Sequence, residues 1–358
     1  MPSLQSAADF RQLFELYRSE YTPGSEGLIP LTPGFSGARV FTLVAPAGNF
    51  LLKEWPVNAM SPERWHVICH LLRQTAARQN TPLALPVPSK QGECSVWLGP
   101  HLYHLEPLLT GTPATYPLSE ARVLAAARTL SLWHVSAANY VPGDIDRGIL
   151  GPPRHEISAS LRRRRQVLLA SQAPGKWEDL AARVFQRGDF ELIGLLARLQ
   201  RCFQDWSDRL MHELQQSLQN LLPVQPVWRD LWRDHLLFVG EDVTGLIDPG
   251  ACAADSVLTD ITRLFGSLLQ NQTSAWQTAL QEYERWRPLS PSERQLLPTF
   301  DLGNLLLSAQ RCFESLLRAS DPLHPTATLA PRLRERLLEY LTRLEQYREF
   351  RREWFASN

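Results

Sequence analysis

Apolar positions fall into two textures along this chain. Up to about residue 107 they come in short runs broken by Gly and Pro, and beyond 113 they recur at helical spacing over long stretches. Phe10, Leu13, Phe14 and Tyr17 predict an amphipathic helix over 4–19. "LTPGFSGARVFTLV" (31–44) and "FLLKEW" (50–55) predict two strands joined by the turn "PAGN" (46–49). Ser61 as N-cap and Pro62 at the first helical position open a helix over 61–78. A Pro-rich stretch (82–88) leads into "ECSVWLG" and "HLYHLEP", two more strands around Gly99-Pro100.

After "LLTGTP" (108–113) the pattern predicts helices over 118–138, through about 155–220, and at about 255–270, 273–286, 299–319 and 331–354. Only "WRDLWRDHLLF" (228–238) and "VTGLID" (243–248) read as strands there. The expectation is an α+β chain of two lobes. Residues 1–107 form a small β-rich lobe, and 108–358 form a larger helical one. A chain of 358 residues is long enough for both.

Composition narrows the function classes. Lys+Arg and Asp+Glu both number 37, so no whole-protein field draws the chain to nucleic acid or anionic lipid. No run of 18 apolar residues and no basic-then-apolar leader is present, which argues against membrane insertion. Five cysteines (69, 94, 202, 252, 312) without framework spacing favour a reducing, cytoplasmic setting. The only lysines are Lys53, Lys90 and Lys176, so a chain that otherwise uses arginine keeps Lys53 inside a strand pattern.

The chemistry gathers in four places. A glycine-bearing turn (Gly34, Ser36, Gly37) lets main-chain N–H groups approach phosphates closely. Lys53 adds a compact positive charge for the same phosphates. Asp248, at a strand end before Pro-Gly, suits a divalent ion bridging them. Asp230 is placed to orient a hydroxyl and accept its proton. Together these are the parts for phosphoryl transfer from a nucleotide.

In this order and spacing, the chain resembles the aminoglycoside phosphotransferase group of the protein-kinase-like superfamily. Those small-molecule kinases carry a catalytic H-G-D-x-x-x-x-N segment and a following I-D. "WRDLWRDHLLF" matches the first with Asp230 as its aspartate, and "GLIDPGA" (245–251) matches the second with Asp248 as the metal aspartate. "GFSGARVFTL" resembles the phosphate-covering loop, and "FLLKEW" the strand bearing the lysine. "HLYHLEPLLTG" resembles the adenine-holding hinge around Glu106 to Leu108. "DITRLFGSLL" (260–269) resembles the helix whose leading aspartate, Asp260, braces the catalytic loop. The motifs cover about residues 30–270.

The resemblance implies ATP with Mg²⁺ or Mn²⁺ as cofactors and a nucleotide plus a small-molecule hydroxyl as partners. Three positions depart from the family pattern. Trp228 and Arg229 replace its His and Gly, and His235 replaces its Asn. An imidazole can ligate a divalent ion, and suits Mn²⁺ better than Mg²⁺. The departures motivate an alternative, a nucleotide-binding pseudokinase or scaffold without turnover. Glu63 is the only glutamate between Glu54 and Glu93, which makes it the helix carboxylate to test as the partner of Lys53.

Only "PGACAADSVLT" separates Asp248 from Asp260, too short for a peptide-docking activation segment. A small hydroxyl compound is therefore the expected acceptor. An aminoglycoside would need an acidic pocket, and only Asp144 and Asp146 stand near the helices that would form one. Elsewhere, His66, Cys69 and His70 have metal-like spacing but no fourth ligand, and "LRRRRQ" (161–166) reads as a solvated helix face.

Overall fold

A strand buries every second side chain, and β3 shows what that alternation builds here. Phe50 and Leu52 face a core beneath the first helix, whereas Lys53 faces the other way, towards the second lobe. The computed structural model describes residues 7–357 apart from 25, 26, 33, 80, 147, 322, 323 and 325. Residues 4–6 of the first predicted helix lie outside them.

In chain order, helix α1 (Ala7–Glu15) precedes strands β1 (Leu28–Pro30), β2 (Arg39–Ala45) and β3 (Gly48–Glu54). Helix α2 (Pro62–Arg78) follows, capped by the Ser61 side chain, then β4 (Val96–Leu98) and β5 (His101–Pro107). These five strands form one antiparallel sheet in the order β1-β2-β3-β5-β4. Leu13, Phe14 and Tyr17 pack on its outer face against Phe41, Leu43, Phe50 and Leu52. Burying side chains of this size contributes roughly 1.5–3 kcal/mol each.

The rest is helical around two small sheets. β6 (Thr112–Pro113) and α3 (Glu120–Ala137) come first, then β7 (Arg154–Glu156), α4 (Ala159–Ser171), α5 (Lys176–Phe185) and α6 (Phe190–Ser217). β8 (Leu222–Val227) leads through residues 228–235 into β9 (Leu236–Val239), followed by β10 (Asp242–Leu246) and β11 (Ala253–Asp255). The chain closes with α7 (Leu258–Leu269), α8 (Thr273–Glu284), α9 (Pro291–Ala319), α10 (Ala330–Glu345) and α11 (Tyr347–Ser357). The small sheets run β10-β9-β6 and β11-β8-β7.

Helix α9 is the central post, packed by α4, α6, α7 and α10. It starts eight residues before the expected 299, because the Ser290–Glu293 capping box sets its origin and it runs through Pro298. Helix α2 buries Trp65, Ile68 and Leu72 in the core of the larger lobe, not in that of the outer sheet face. The two lobes are thereby joined through α2. The architecture is the mixed, two-lobed one expected of a kinase-like chain. Among the described residues no helix is long and apolar enough to cross a membrane.

Candidate active site

The site forms where strand ends from both lobes meet. On the larger lobe, Leu236 pairs with Leu246 in the β9–β10 ladder, and Ile247 N–H donates to the His235 carbonyl at 3.0 Å. Antiparallel pairing thus sets Asp248 beside the Asp230–His235 loop. From the other lobe Lys53 reaches across, its Nζ 2.7 Å from Asp248 Oδ1 and 4.2 Å from the centre of the Trp55 ring.

Electrostatics follow from that meeting. Burial works to raise the Asp248 carboxyl, but the charge and hydrogen bond of Lys53 lead the effects that outweigh it and hold the group at about 2. Asp248 sits at φ 62°, a left-handed conformation that non-glycine residues seldom adopt. The surrounding pairing holds it there, aimed into the cleft. Next to it, Gly250 lies so close to Trp55 that a Cβ would come within 2.5 Å of the indole. We expect Gly250→Ala to displace Trp55 at a cost of about 1–3 kcal/mol, measured by chemical denaturation. A change below experimental error would show that the turn can shift freely.

Asp230 stands half-exposed in the cleft with its carboxylate against the Arg263 guanidinium. Arg263, with smaller help from His235 and Arg336, holds that carboxyl below the usual range against the effect of burial. Its loop is braced from below by Asp260. One carboxylate oxygen of Asp260 accepts the Trp228 N–H and the other the Arg229 N–H, both at 2.6 Å. Asp260 also meets His134 Nε2 at 3.1 Å, while His134 Nδ1 lies 2.8 Å from the Tyr283 hydroxyl.

Trp228 is fully buried in T-shaped contact with Trp133, so it fills the core behind the loop. Arg229 adopts φ 68°, where glycine would sit without strain, and its N–H contact with Asp260 holds the turn.

His235 is oriented by one contact. Its Nδ1 lies 2.7 Å from the Asp230 backbone carbonyl, which can only accept, so Nδ1 carries the proton. Nε2 then keeps its lone pair, the arrangement a metal-ligating histidine needs. Asp248 and His235 are the side chains here whose chemistry could hold a divalent ion. Among the described residues no cluster of three His, Cys, Asp or Glu side chains offers a fully protein-built metal site.

The glycine turn places Ser36 Oγ 3.3 Å from the Ala38 N–H, with Gly37 at φ 73° and its N–H directed at the Gly34 carbonyl. Phe35 at its tip stacks on Arg336 of α10, at 4.3 Å. On β5, Glu106 is buried 3.4 Å from His104, itself stacked on Trp65 at 4.1 Å and bonded to Trp55 Nε1 at 3.0 Å. The Leu108 N–H donates to the Asn49 carbonyl at 2.9 Å, so in this conformation the strand ladder occupies the hinge amide.

Glu63 is a correction. It lies exposed in the first turn of α2 and makes no ion pair with Lys53, whose carboxylate partner is Asp248. Its own N–H and the Ser61 side chain lower its pKa, as befits a residue at a helix start. From the same helix Arg64 donates to the Cys252 carbonyl at 2.9 Å, tying α2 to the turn that follows Asp248.

Arg263, His134, Tyr283 and Trp55 escaped the sequence reading. Arg263 alone had a signal. It falls one turn after Asp260 on α7, on the face that meets the catalytic loop. Of the other candidates, Cys69 is buried, whereas His66 faces Glu93 and His70 bonds Gln74. In "LRRRRQ", Arg162 and Arg163 are exposed as a solvated face would be, whereas Arg164 turns inward, and Arg163 and Arg164 line a cavity beside Arg229 and Arg263.

No family model matches the chain, and no curated protein does. Solved structures do match along nearly its whole length. The amicoumacin kinase hAmiN, in complex with AMP-PNP, Ca²⁺ and Ami, superposes with a TM-score of 0.65 at 14% identity, covering 96% of this chain and 94% of that one. An aminoglycoside phosphotransferase from Alicyclobacillus acidocaldarius subsp. acidocaldarius DSM 446 gives 0.54 at 16% identity, covering 100% and 96%. A spectinomycin phosphotransferase in complex with ADP and spectinomycin gives 0.59 at 12% identity, covering 94% and 98%. The chain therefore has the fold of aminoglycoside phosphotransferases and related small-molecule kinases, as the motif resemblance implied.

Proposed function

We propose that this protein transfers the γ-phosphoryl group of ATP to a hydroxyl of a small molecule. The observation that carries the reading is the meeting of Lys53, from β3 of the smaller lobe, with the segment of the larger lobe that holds Asp230, His235 and Asp248. That the solved structures of this fold include kinases bound to AMP-PNP and to ADP supports it.

The roles follow from position. Lys53 and the turn at Gly34, Ser36 and Gly37 hold the phosphates, residues 1–107 cover the nucleotide, and the strand edge at Glu106–Leu108 meets the adenine. Asp248 and His235 hold the divalent ion, which when bound neutralises phosphate charge. Asp230 aligns the acceptor hydroxyl from the 108–358 lobe. As the acceptor oxygen bonds to phosphorus, the bond to the β,γ-bridging oxygen breaks and its electron pair leaves with ADP. The hydroxyl proton passes to the Asp230 carboxylate. An ionised Asp230, facing the cleft, supports turnover over nucleotide binding alone. All five cysteines are free, which suits the reducing cytoplasm where ATP is made.

The test is a melting experiment with ATP and either Mg²⁺ or Mn²⁺, followed by ADP release with candidate acceptors. At a hundred times its Kd, ATP stabilises the fold by about 2.7 kcal/mol. An unmoved melting temperature with both ions removes the kinase reading. His235 adds a finer expectation, in which Mn²⁺ supports nucleotide binding better than Mg²⁺ and His235→Asn reverses the order. Equal preference in both proteins would make His235 a brace for the loop and not a ligand.

A further inference from the structure

Beside Asp230, two cavities open among the helices of the larger lobe. One, of about 320 Å³, is lined by Arg263, Arg311 and Arg336, with Phe35 of the glycine turn at its wall. The other, of about 90 Å³, adjoins it through Arg263 and Arg311 and adds Arg163, Arg164 and Arg229. Among the described residues Asp230 is the only carboxylate lining either. The chain as a whole carries no formal net charge, so this concentration of arginine is local.

Most of these guanidinium groups are not spent on structure. Among the described residues, the side chains of Arg163, Arg229 and Arg311 make no hydrogen bond or ion pair. Arg164 Nη1 and Arg263 Nε are shielded from solvent without a partner. Burial pushes Arg164 down to about 10, and burial with the charges of Arg163 and Arg263 lowers Arg311. Like charges crowded in a partly dry cavity repel one another, and an anion between them would relieve that repulsion.

We infer that the acceptor of this kinase is an anionic hydroxyl compound, carrying phosphate or carboxylate groups that Arg311, Arg163 and Arg263 bind while its hydroxyl meets Asp230. This rests on the kinase reading and gives its substrate a charge opposite to that of an aminoglycoside. Guanidinium forks match both phosphate and carboxylate oxygens in pairs. Arg263, which holds Asp230 in the free protein, turns towards the incoming anion and releases the carboxylate to the hydroxyl. The enclosing helices and the small volume exclude a nucleic acid or a protein segment in favour of a small molecule.

The experiment compares wild type with Arg311→Gln and Arg163→Gln. Neither side chain has a partner to lose, so both variants should fold. Binding by calorimetry and ADP release are measured with sugar monophosphates, hydroxy di- and tricarboxylates, uncharged polyols and amino sugars. The proposal predicts that one anionic class binds and accepts phosphate, and that each variant raises its Kd and KM about ten- to a hundredfold. ATP affinity should not change. The first two arms separate phosphate from carboxylate as the recognised group. Three results overturn the proposal: no anionic compound binding wild type at millimolar concentration, a neutral or cationic acceptor indifferent to Arg311→Gln, or weaker ATP binding in the variants. ATP binding that depends on Lys53 reports separately on the kinase reading, which can stand while this inference falls.

Discussion

Replacing Asp230 with asparagine lowers kcat for phosphoryl transfer by about 10²–10⁴-fold and leaves nucleotide affinity nearly intact. The amide keeps the size of the side chain but cannot take a proton from the acceptor. In the proposed function nucleotide is held by Lys53 and Asp248, which approach from β3 and the end of β10, and not by Asp230. Arg263 loses its ionic partner in the variant. Asp230 is half-exposed but the Arg263 side chain is only 16% exposed, so that loss also lowers the melting temperature. Activity and melting temperature measured side by side therefore separate catalysis from folding. If Asp230→Asn turns over at near wild-type rate, Asp230 has no part in the chemistry.

Asp260→Ala carries the largest expected effect on stability, about 3–5 kcal/mol. The carboxylate is completely buried and accepts two backbone N–H groups, so its removal leaves both donors and His134 Nε2 without a partner in the core. Each orphaned group costs about 1–3 kcal/mol. The same two bonds hold Arg229 in its left-handed conformation, which in turn aims Asp230 into the cleft. The variant that remains folded should for that reason also be slow, with kcat reduced beyond the fraction unfolded. Urea unfolding and kcat on the same preparation check both effects. A loss under 1 kcal/mol would mean the loop is held by packing on Trp133 and not by this carboxylate.

What the sequence revealed of this site follows from how local each signal is. Lys53, Asp230, Asp248 and Asp260 each sit in a short segment whose strand, turn or helix is set by its neighbours, and the structure brings all four to one loop system. The partner of Lys53 was not local. Helix periodicity places Glu63 at a helix start, where it serves the helix, and the ion pair forms instead with Asp248 across 195 residues. β8 went unread because Pro223 and Pro226 break the pattern of a strand, although its neighbours β7 and β11 still pair with it.

The arginine cavity was hidden for a different reason. Arg163, Arg263, Arg311 and Arg336 lie on four separate helices. A polar helix face looks the same in sequence whether it meets water or a cavity. Only the packing of α4, α7 and α10 around α9 turns those faces towards one another.

Whether one cleft holds ATP through Lys53 and Asp248 and presents it to Asp230 is tested most directly by calorimetric titration of ATP with a divalent ion into wild type, Lys53→Ala, Asp248→Ala and Asp230→Asn. One nucleotide should bind per chain, with binding lost or severely weakened in the first two variants and retained in the third. Titrations showing no heat for wild type, or the same affinity in Lys53→Ala and Asp248→Ala as in wild type, would contradict it.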